Sequence, residues 1–418
     1  MNQSAVVIIG AGQAGCQAAA SLRQGGFEGS ITLVNGEPGL PYQRPPLSKG
    51  YLLGKVDAAK LLLRRDHWYP KQRVDLISDQ VVAIDRAGHQ VQLAGGPTLA
   101  YDHLILATGS RNRELPVPGA ELGGVIGMRT QADADALAGR VGDGVEVVVV
   151  GAGFIGLEFA AVAAALGASV HVLEQADRPM ARAVSAATSD FFRQAHEDWG
   201  VRLEFGRGVI GIGGDNGVAT SATLTDARIV PADLVVYGIG VVPETTLAER
   251  AGLGVDNGIR VDEQLLTDDP DISAIGDAVS FPSAYAGGRM IRLECVQNAA
   301  DQARHVAARL TGASAAYDAL PWFWSDQGDL KLQIAGLADT DDDSVELVSP
   351  EPRQRTVLRY RADRLVAVET VNRPGDHMLA RRILAGSASS AGPTSAEATV
   401  AGFDLKTWHE AQDLVAAG

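Results

Sequence analysis

Two glycine-rich segments with the spacing GxGxxG are the part of this chain most suited to chemistry. The first contains Gly10, Gly12 and Gly15, and the second contains Gly151, Gly153 and Gly156. Each follows an all-apolar run and opens an alanine-rich stretch, and this strand–turn–helix context separates a dinucleotide-binding turn from a chance match. The glycines let the backbone turn tightly and approach a pyrophosphate, which then lies on the positive N-terminus of the helix. Two such turns predict a protein that holds two dinucleotides and passes electrons between them.

The elements that must position these turns repeat the order strand, turn, helix, strand. The pattern predicts strands over residues 6–9, 31–34, 147–150 and 169–173, and helices over 14–24 and 154–166. Such units build parallel, doubly wound sheets. Two more apolar runs, 104–106 and 272–275, end in small-residue turns and are expected in the first domain. Because they lie on either side of the second unit, the second domain is predicted to be inserted in the first.

The region after residue 320 differs in pattern from the rest of the chain. Its apolar residues alternate with charged ones, which predicts strands over 331–334, 356–360 and 365–371 and helices over 378–384 and 405–415, with a low-complexity loop at 387–395. The predicted fold class is α/β, with two Rossmann-like doubly wound domains and a C-terminal α+β cap domain. The predicted bounds are 1–109 with 243–320 for the first domain, 110–242 for the second and 321–418 for the cap.

Composition restricts the classes of function. The 418 residues carry a net charge of −15, which argues against binding to nucleic acid or to an anionic membrane. No apolar run approaches the ~18 residues of a membrane span, and the N-terminal run is expected to be the first strand rather than a signal sequence. The two cysteines, Cys16 and Cys295, and the eight histidines have no metal-ligand spacing, so no metal site is expected. A reducing cytoplasm is the expected compartment.

Further motifs extend over nearly the whole chain. They are the segment 41–49 (PYQRPPLSK), Ala107-Thr108-Gly109, the second glycine turn extended to Glu158, Gly238-Ile239-Gly240, Ile275-Gly276-Asp277 and the segment 321–325 (PWFWS). With these motifs the chain resembles the FAD-dependent NADH:ferredoxin reductases of the glutathione-reductase-like superfamily. That family reduces 2Fe–2S ferredoxins, which serve cytochrome P450-type monooxygenases or aromatic-ring dioxygenases.

The resemblance implies that the first domain binds FAD. The residues it assigns to FAD are Gly10, Gly12, Ala14, Gly15, Glu37, Arg44, Lys49, Val81, Thr108, Gly109, Arg129, Asp277 and Val296. Asp277 would accept hydrogen bonds from the ribityl region, although a helix N-cap is the simpler interpretation of an Asp after Gly276. The family's ribose-binding acid is replaced by Gly36, and Glu37 is assigned to the adenosine ribose because it lies 22 residues after Gly15.

The second domain is expected to bind NADH. The residues assigned to it are Gly151, Gly153, Phe154, Ile155, Gly156, Glu158, Glu174, Gly238 and Gly240. Glu174 lies 18 residues after Gly156, where a carboxylate accepts from the ribose 2′-hydroxyl and repels a 2′-phosphate. The sequence therefore predicts a preference for NADH over NADPH. Phe154 could cover the flavin until nicotinamide displaces it, or could be ordinary core packing.

Three residues are expected to act on the reaction itself. Lys49, fixed by the Pro45-Pro46 turn, would stabilise negative charge on the reduced flavin, whereas Arg44 could be only solvated. In the family the residue at Glu158 faces the nicotinamide carboxamide and can pair with the lysine, here across two domains, although a purely structural salt bridge is the competing interpretation. Trp324 would lie on the flavin face opposite the nicotinamide, or with Trp322 only attach the cap.

The expected reaction is hydride transfer from NADH to FAD, followed by single-electron transfer to a 2Fe–2S ferredoxin. A rubredoxin reductase and an apoptosis-inducing-factor-like FAD protein are alternatives, and the latter would react slowly with NADH. A flavin disulfide reductase would need a reactive cysteine near the flavin ring, and residues 38–53 contain none.

A basic patch is needed to dock an acidic ferredoxin onto an acidic protein. The candidates for this patch are Arg64, Arg65 and Arg304, with Arg292 and Lys331 as additions. Each arginine taken alone is also consistent with an ordinary solvated surface residue. The chain is expected to be a monomer or a weak homodimer.

Overall fold

The computed structural model describes residues 4–349, 351–385 and 392–416. The chain divides into two compact units. The first unit comprises Met1–Gln43, Asp57–Arg111 and Val241–Ala319, and the second comprises Arg44–Val56, Asn112–Gly240 and Leu320–Gly418. The short strands Ser110–Asn112 and Val241–Pro243 lie where the chain passes from one unit to the other.

A five-stranded parallel sheet forms the centre of the first unit. Its strands, in spatial order, are Ile272–Ala274, His103–Leu106, Ala5–Ile9, Ser30–Asn35 and Val74–Ser78. The strands are almost continuously apolar because helices cover a parallel sheet on its faces. The helix Gln13–Gln24 packs against the helix Val296–Leu310, and its buried face of small residues allows this close approach. The strand order reverses beside Ala5–Ile9, which is where such sheets bind ligands.

Smaller elements complete the first unit. They are the antiparallel strands Val81–Asp85, Gln90–Leu93 and Thr98–Ala100, the strands Ile259–Arg260, Val279–Pro282 and Met290–Ile291, the short helices Ala58–Leu61, Trp68–Lys71 and Thr246–Arg250, and the 3₁₀ turns Gly276–Ala278 and Ala284–Ala286.

The second unit contains a parallel sheet of the same design. Its strands, in spatial order, are Arg202–Phe205, Ser169–Glu174, Glu146–Val150, Leu234–Tyr237 and Val125–Gly127. The helix Phe154–Ala165 follows the central strand and is apolar on almost every side. A helix of this composition is expected to bury most of its surface, and here it lies between the parallel sheet and the C-terminal strand Trp322–Gln327, with Ile155 in its first turn left exposed.

The C-terminal part of the second unit is an antiparallel sheet with helices. Its strands, in spatial order, are Trp322–Gln327, Leu330–Gly336, Arg364–Val371, Arg355–Arg361 and Asp343–Leu347, and its helices are Pro374–Ala385, Ser395–Ala398 and Leu405–Ala416. The rest of the unit comprises the helices Gln131–Leu137 and Ala186–Asp198, the strands Val209–Asp215, Val218–Leu224 and Ile229–Pro231, and the helical turn Leu47–Tyr51.

The predicted fold class is confirmed, and the predicted elements match within a few residues. The helix expected at residue 378 begins at Pro374, because proline suits the first turn of a helix. Residues 387–391 of the predicted loop lie outside the described residues, and Ser395 already begins a helix capped by Thr394. The predicted domain bounds stay a prediction. The segment Arg44–Val56, which falls within the predicted first domain, belongs to the second compact unit. None of the described helices has the length and hydropathy that crossing a membrane requires.

Candidate functional site

The first glycine turn joins the strand Ala5–Ile9 to the helix Gln13–Gln24 in the first unit. Gly10 has a φ of +101°, and a Cβ there would lie 2.3 Å from the Ala107 carbonyl oxygen. A Cβ at Gly15 would lie 1.9 Å from the Gly10 carbonyl oxygen, whereas one at Gly12 would meet nothing within 4 Å. No side chain caps this helix. Its first amide groups are therefore open to a ligand, and the turn fits a pyrophosphate.

Asp277 lies inside the 3₁₀ turn Gly276–Ala278, next to the helix Val296–Leu310. The N-cap of this turn is Ile275, so the N-cap interpretation of Asp277 is not what the structure shows. Ser110 Oγ donates to Asp277 Oδ2 at 3.1 Å. This places Asp277 beside the Thr108–Gly109 turn, which is predicted to bind the same cofactor.

Glu37 follows the strand Ser30–Asn35, and two neighbours fix its position. Tyr42 Oη donates to Glu37 Oε2 at 2.5 Å, and Asn35 Nδ2 donates to the Glu37 carbonyl oxygen at 2.9 Å. The carboxylate is thus held at the end of the strand next to the glycine turn. Val81 begins a strand of the small antiparallel sheet, and Val296 is the first residue of the last helix of this unit.

The second glycine turn repeats the first in the second unit. Gly151 has a φ of +103°, and a Cβ there would lie 2.7 Å from the Gly238 carbonyl oxygen. A Cβ at Gly156 would lie 2.1 Å from the Gly151 carbonyl oxygen, whereas at Gly153 the nearest atom would be 3.9 Å away. Gly240, with a φ of +100°, ends the neighbouring turn. The same division between packed and open glycines marks a second dinucleotide turn.

Glu174 ends the strand beside the second turn. Its carboxylate accepts from the backbone N–H of Ala152 at 2.7 Å and from that of Ala176 at 2.9 Å. The nearby Arg178 donates instead to the carbonyl oxygens of Ala181, Val184 and Ser185. The carboxylate is therefore fixed against the turn, and Arg178, four residues further along the chain, is engaged with backbone carbonyl groups.

Lys49 and Glu158 form an ion pair in which Nζ lies 2.9 Å from Oε1. The exposed fractions of the two side chains are 18% and 6%. Ser48 Oγ donates to Glu158 Oε2 at 2.7 Å, and Ser325 Oγ donates to Oε1 at 2.7 Å. Burial raises the pKa of Glu158, and the Lys49 charge and the two serine hydroxyls act against that rise. Both oxygens of this buried carboxylate are satisfied.

The turn that carries Lys49 is anchored at several points. Lys49 has φ and ψ of −131° and −109°, which interrupts the helical turn Leu47–Tyr51 and follows the rigid Pro45-Pro46 pair. Lys49 Nζ also donates to the Pro45 carbonyl oxygen, and Tyr51 Oη donates to Asp135 Oδ1 at 2.5 Å. Because this turn belongs to the second unit, the ion pair predicted to join two domains lies within one compact unit.

Arg44 and Arg129 are adjacent in the second unit. Arg44 Nη1 donates to the Arg129 carbonyl oxygen at 3.1 Å. Arg129 itself precedes the helix Gln131–Leu137, where its backbone N–H donates to Asp133. The structure therefore brings these two predicted flavin residues together.

The strand Trp322–Gln327 has two different faces. Phe323 packs on Phe154 with ring centroids 4.5 Å apart, and Ser325 on the same face reaches Glu158. Trp322 and Trp324 are on the other face, with centroids 5.6 Å apart. The contact with Phe323 agrees with the packing interpretation of Phe154. Ser325 was missed as a site residue, although the alternation of side chains along a strand was a signal that could have separated it from the tryptophans.

The proposed docking arginines differ in their surroundings. The Arg64 guanidinium lies 5.4 Å from the Trp68 ring centre, and Arg65 is exposed. Arg304 is paired with Asp301 at 2.6 Å, which offsets its charge.

The two additional candidates are also paired. Arg292 is 12% exposed and lies 2.5 Å from Glu294, so it is largely withdrawn from solvent. Lys331 is exposed, with Asp326 4.0 Å away.

Neither cysteine has the properties of a reactive thiol. Burial raises the pKa of Cys16 to about 12, and burial raises the pKa of Cys295 to about 11. The thiolate is the reactive form of cysteine, so both are unreactive near neutral pH. Within the described part of the chain, no cluster of three or more His, Cys, Asp or Glu side chains could hold a metal ion.

Comparison with known proteins decides the family. The model of the family described as pyridine nucleotide-disulphide oxidoreductase matches residues 4–303, and the one described as reductase C-terminal matches residues 322–408. The chain belongs to the pyridine nucleotide-disulphide oxidoreductase family.

Relatives match it over nearly their full length. Rhodocoxin reductase of Rhodococcus erythropolis is 49% identical over 402 residues, which cover 96% of this chain and 93% of that protein. The ferredoxin reductase for the CYP199A2 system from Rhodopseudomonas palustris has a TM-score of 0.93 at 47% identity, covering 97% of this chain and 99% of the other. The reductase in the covalent putidaredoxin reductase–putidaredoxin complex has a TM-score of 0.93 at 37% identity, covering 98% and 99%.

Proposed function

We propose that this chain is an FAD-dependent reductase that takes hydride from NADH and passes single electrons to a 2Fe–2S ferredoxin. The observation that carries the proposal is the presence of two separate glycine turns, each opening an uncapped helix in its own parallel sheet. The full-length similarity to reductases named for their redoxin partners supports the choice of acceptor. The ferredoxin would serve a cytochrome P450-type monooxygenase or an aromatic-ring dioxygenase.

FAD is assigned to the first turn. When bound, it accepts a hydride and releases electrons one at a time. The open amides at Gly12 would hold the pyrophosphate, Glu37 would accept from the adenosine ribose, and Asp277 would accept from the ribityl hydroxyls. Asp277 can do so because it is an acceptor held in place by Ser110.

NADH is assigned to the second turn. Glu174 would accept from the ribose 2′-hydroxyl while excluding a 2′-phosphate by charge. This selects NADH over NADPH, and the engagement of Arg178 with backbone carbonyl groups removes a competing phosphate ligand.

Lys49 is proposed to supply positive charge where negative charge develops during flavin reduction, and Glu158 to orient Lys49 and the nicotinamide. Their ion pair gives Lys49 one position rather than many, since the pair lies in a largely buried setting. Trp324 is proposed to lie against the flavin on the side opposite the nicotinamide.

Two other functions have less support. A disulfide reductase needs a reactive thiol, and burial keeps both cysteines protonated. Both cysteines are thiols rather than disulfides, which supports a cytoplasmic location as part of this proposal. An apoptosis-inducing-factor-like role would be favoured only by slow reduction with NADH.

The test is cytochrome c reduction driven by NADH, with and without an added 2Fe–2S ferredoxin. NADPH and a rubredoxin replace the nucleotide and the acceptor in control reactions. We expect a large ferredoxin-dependent rate with NADH only. Bleaching of the flavin by NADH without ferredoxin-dependent electron transfer would contradict the assignment of a ferredoxin as the acceptor. The absence of bleaching by NADH would contradict the proposed reductase function.

A further inference from the structure

Glu158 begins a line of buried polar side chains that continues into the C-terminal sheet. Ser325 Oγ donates to Glu158 Oε1 at 2.7 Å, and Gln327 Nε2 donates to Ser325 Oγ at 3.3 Å. Gln327 Oε1 lies 2.9 Å from His196 Nε2. Ser325, Gln327 and His196 are fully buried. The line joins the helix that carries Glu158 to the helix Ala186–Asp198 through one strand of the C-terminal sheet.

Every hydrogen bond along this line is donated in the direction of Glu158, and the one from His196 to the Gln327 carbonyl oxygen fixes the orientation of the Gln327 amide group. Burial lowers the pKa of His196 to about 4, so its ring is neutral at pH 7. His196 Nδ1 is buried without a hydrogen-bond partner in the described part of the chain, so a proton there would be unsatisfied, and the proton is assigned to Nε2, which donates to the Gln327 carbonyl oxygen. The Gln327 amide group therefore turns its N–H toward Ser325, and the Ser325 hydroxyl proton is left to point at Glu158. With the opposite amide orientation, Ser325 would donate to Gln327 and the carboxylate would lose a donor.

Glu158 depends on these donors because it is buried. A buried carboxylate stays ionised only when charges and hydrogen bonds replace its water. The Leu47–Tyr51 turn brings the positive charge of Lys49, and Ser48 donates to the second oxygen.

Three other titratable groups on the packed elements have contacts of their own. On the strand Trp322–Gln327, Asp326 lies 4.0 Å from Lys331. On the strand Ser169–Glu174, His171 contacts Glu204, and Glu174 accepts from backbone amides. Lys49, Ser48 and Ser325 therefore set the state of Glu158.

We propose that Ser325 is a positioning residue for hydride transfer: its hydroxyl, oriented by Gln327 and His196, keeps the Glu158 carboxylate ionised and directed at Lys49. The inference rests on the proposed function, in which Lys49 and Glu158 serve the flavin and the nicotinamide. The C-terminal sheet then does more than cover the helix Phe154–Ala165, since one of its strands sets the charge state of the ion pair.

The first experiment measures anaerobic flavin reduction in a single turnover at increasing NADH concentration. Ser325→Ala removes one hydrogen bond to a charged group, and we expect the limiting rate constant to fall about tenfold. The dissociation constant for NADH should change by much less than the limiting rate constant, because Ser325 contacts Glu158 and not the nucleotide. Thr370→Val is the matched control: it removes a fully buried hydroxyl of the same sheet that donates to the Gln333 carbonyl oxygen.

A double variant separates positioning from general weakening of the fold. In a Lys49→Met background the ion pair is absent, so Ser325→Ala should change the limiting rate by less than about twofold. A tenfold fall that persists in this background overturns the proposal, and so does a wild-type limiting rate in Ser325→Ala. If Ser325→Ala does not fold, Ser48→Ala removes the other hydroxyl and is expected to lower the limiting rate in the same way.

An infrared spectrum of the purified protein, without NADH or ferredoxin, tests the same idea independently of turnover. Loss of the Ser325 donor favours the protonated carboxyl, so Ser325→Ala should gain a carbonyl stretch at pH 7 that is missing from Ser325→Ala with Glu158→Gln. Absence of this band overturns the proposal. Failure of wild-type reduction by NADH would instead overturn the proposed function, and the infrared result would still report the state of Glu158.

Discussion

The Arg359 guanidinium lies 2.7 Å from the Glu369 carboxylate, with exposed fractions of only 4% and 1%. The carboxylate also accepts from the backbone N–H of Ser185 at 2.8 Å and from its hydroxyl at 2.7 Å. Ser185 is the N-cap of the helix Ala186–Asp198. One buried ion pair in the C-terminal sheet therefore holds the start of the helix that carries His196.

Glu369→Ala should strongly destabilise the protein. It leaves the Arg359 charge buried without its carboxylate and removes acceptors from the helix cap, so we expect the free energy of unfolding to fall by about 3–5 kcal/mol. Urea titration followed by circular dichroism measures this. Glu197→Ala on the same helix removes an exposed pair with Arg193 and should change stability by less than about 1 kcal/mol. Equal losses in the two variants would contradict the prediction.

Acid should weaken the fold through His196. Its pKa falls from 6.5 in the unfolded chain to about 4 in the folded one. The native state therefore binds fewer protons between these values, and stability is complete above about pH 6.5 and declines as the pH falls toward 4. The contribution of this one group is on the order of 3 kcal/mol. Urea titrations across this range should show a smaller decline in His196→Gln than in the wild type, and an identical decline would contradict the assignment.

Local patterns of the sequence predicted the two sheets and both glycine turns, because apolar runs and glycine spacing are properties of neighbouring residues. The pairing of Lys49 with Glu158 came from the resemblance and is present in the structure. Ser325, Gln327 and His196 were missed as a group because residues 131 positions apart meet only after folding. The enclosure of Lys49 and Glu158 in one unit also depends on long-range packing, which no local pattern contains.

Changing Glu174 should weaken the selection of NADH. Glu174→Ser removes the negative charge that excludes a 2′-phosphate and the acceptor for the 2′-hydroxyl. We expect the ratio of kcat/KM for NADH to that for NADPH to fall about tenfold or more. Steady-state ferredoxin reduction with each nucleotide measures it. Asp190→Ser, which removes an exposed acid paired with Arg193, is the control, and an unchanged ratio in Glu174→Ser would contradict the role of the carboxylate.

Charge reversal at the proposed docking arginines should affect only the acceptor. Arg64→Glu with Arg304→Glu is expected to raise the KM for ferredoxin about tenfold, because a complementary patch is needed for two acidic proteins to associate. Flavin reduction by NADH should be normal. Arg193→Glu with Lys406→Glu changes the net charge equally and serves as the control. The assignment of Arg64 and Arg304 to a docking patch is wrong if both double variants raise the KM for ferredoxin equally.

The three glycines of the first turn carry two separate constraints. At Gly10 and Gly15 an added methyl group would collide with backbone, whereas at Gly12 it would meet no protein atom within 4 Å. Gly10 and Gly15 are therefore required by the packing of the backbone itself, whereas Gly12 is required by the close approach of the cofactor. A substitution at Gly12, which one nucleotide change can produce, would leave the sheet and helix intact but block the pyrophosphate site. A protein that folds without binding its cofactor is therefore a single mutation away.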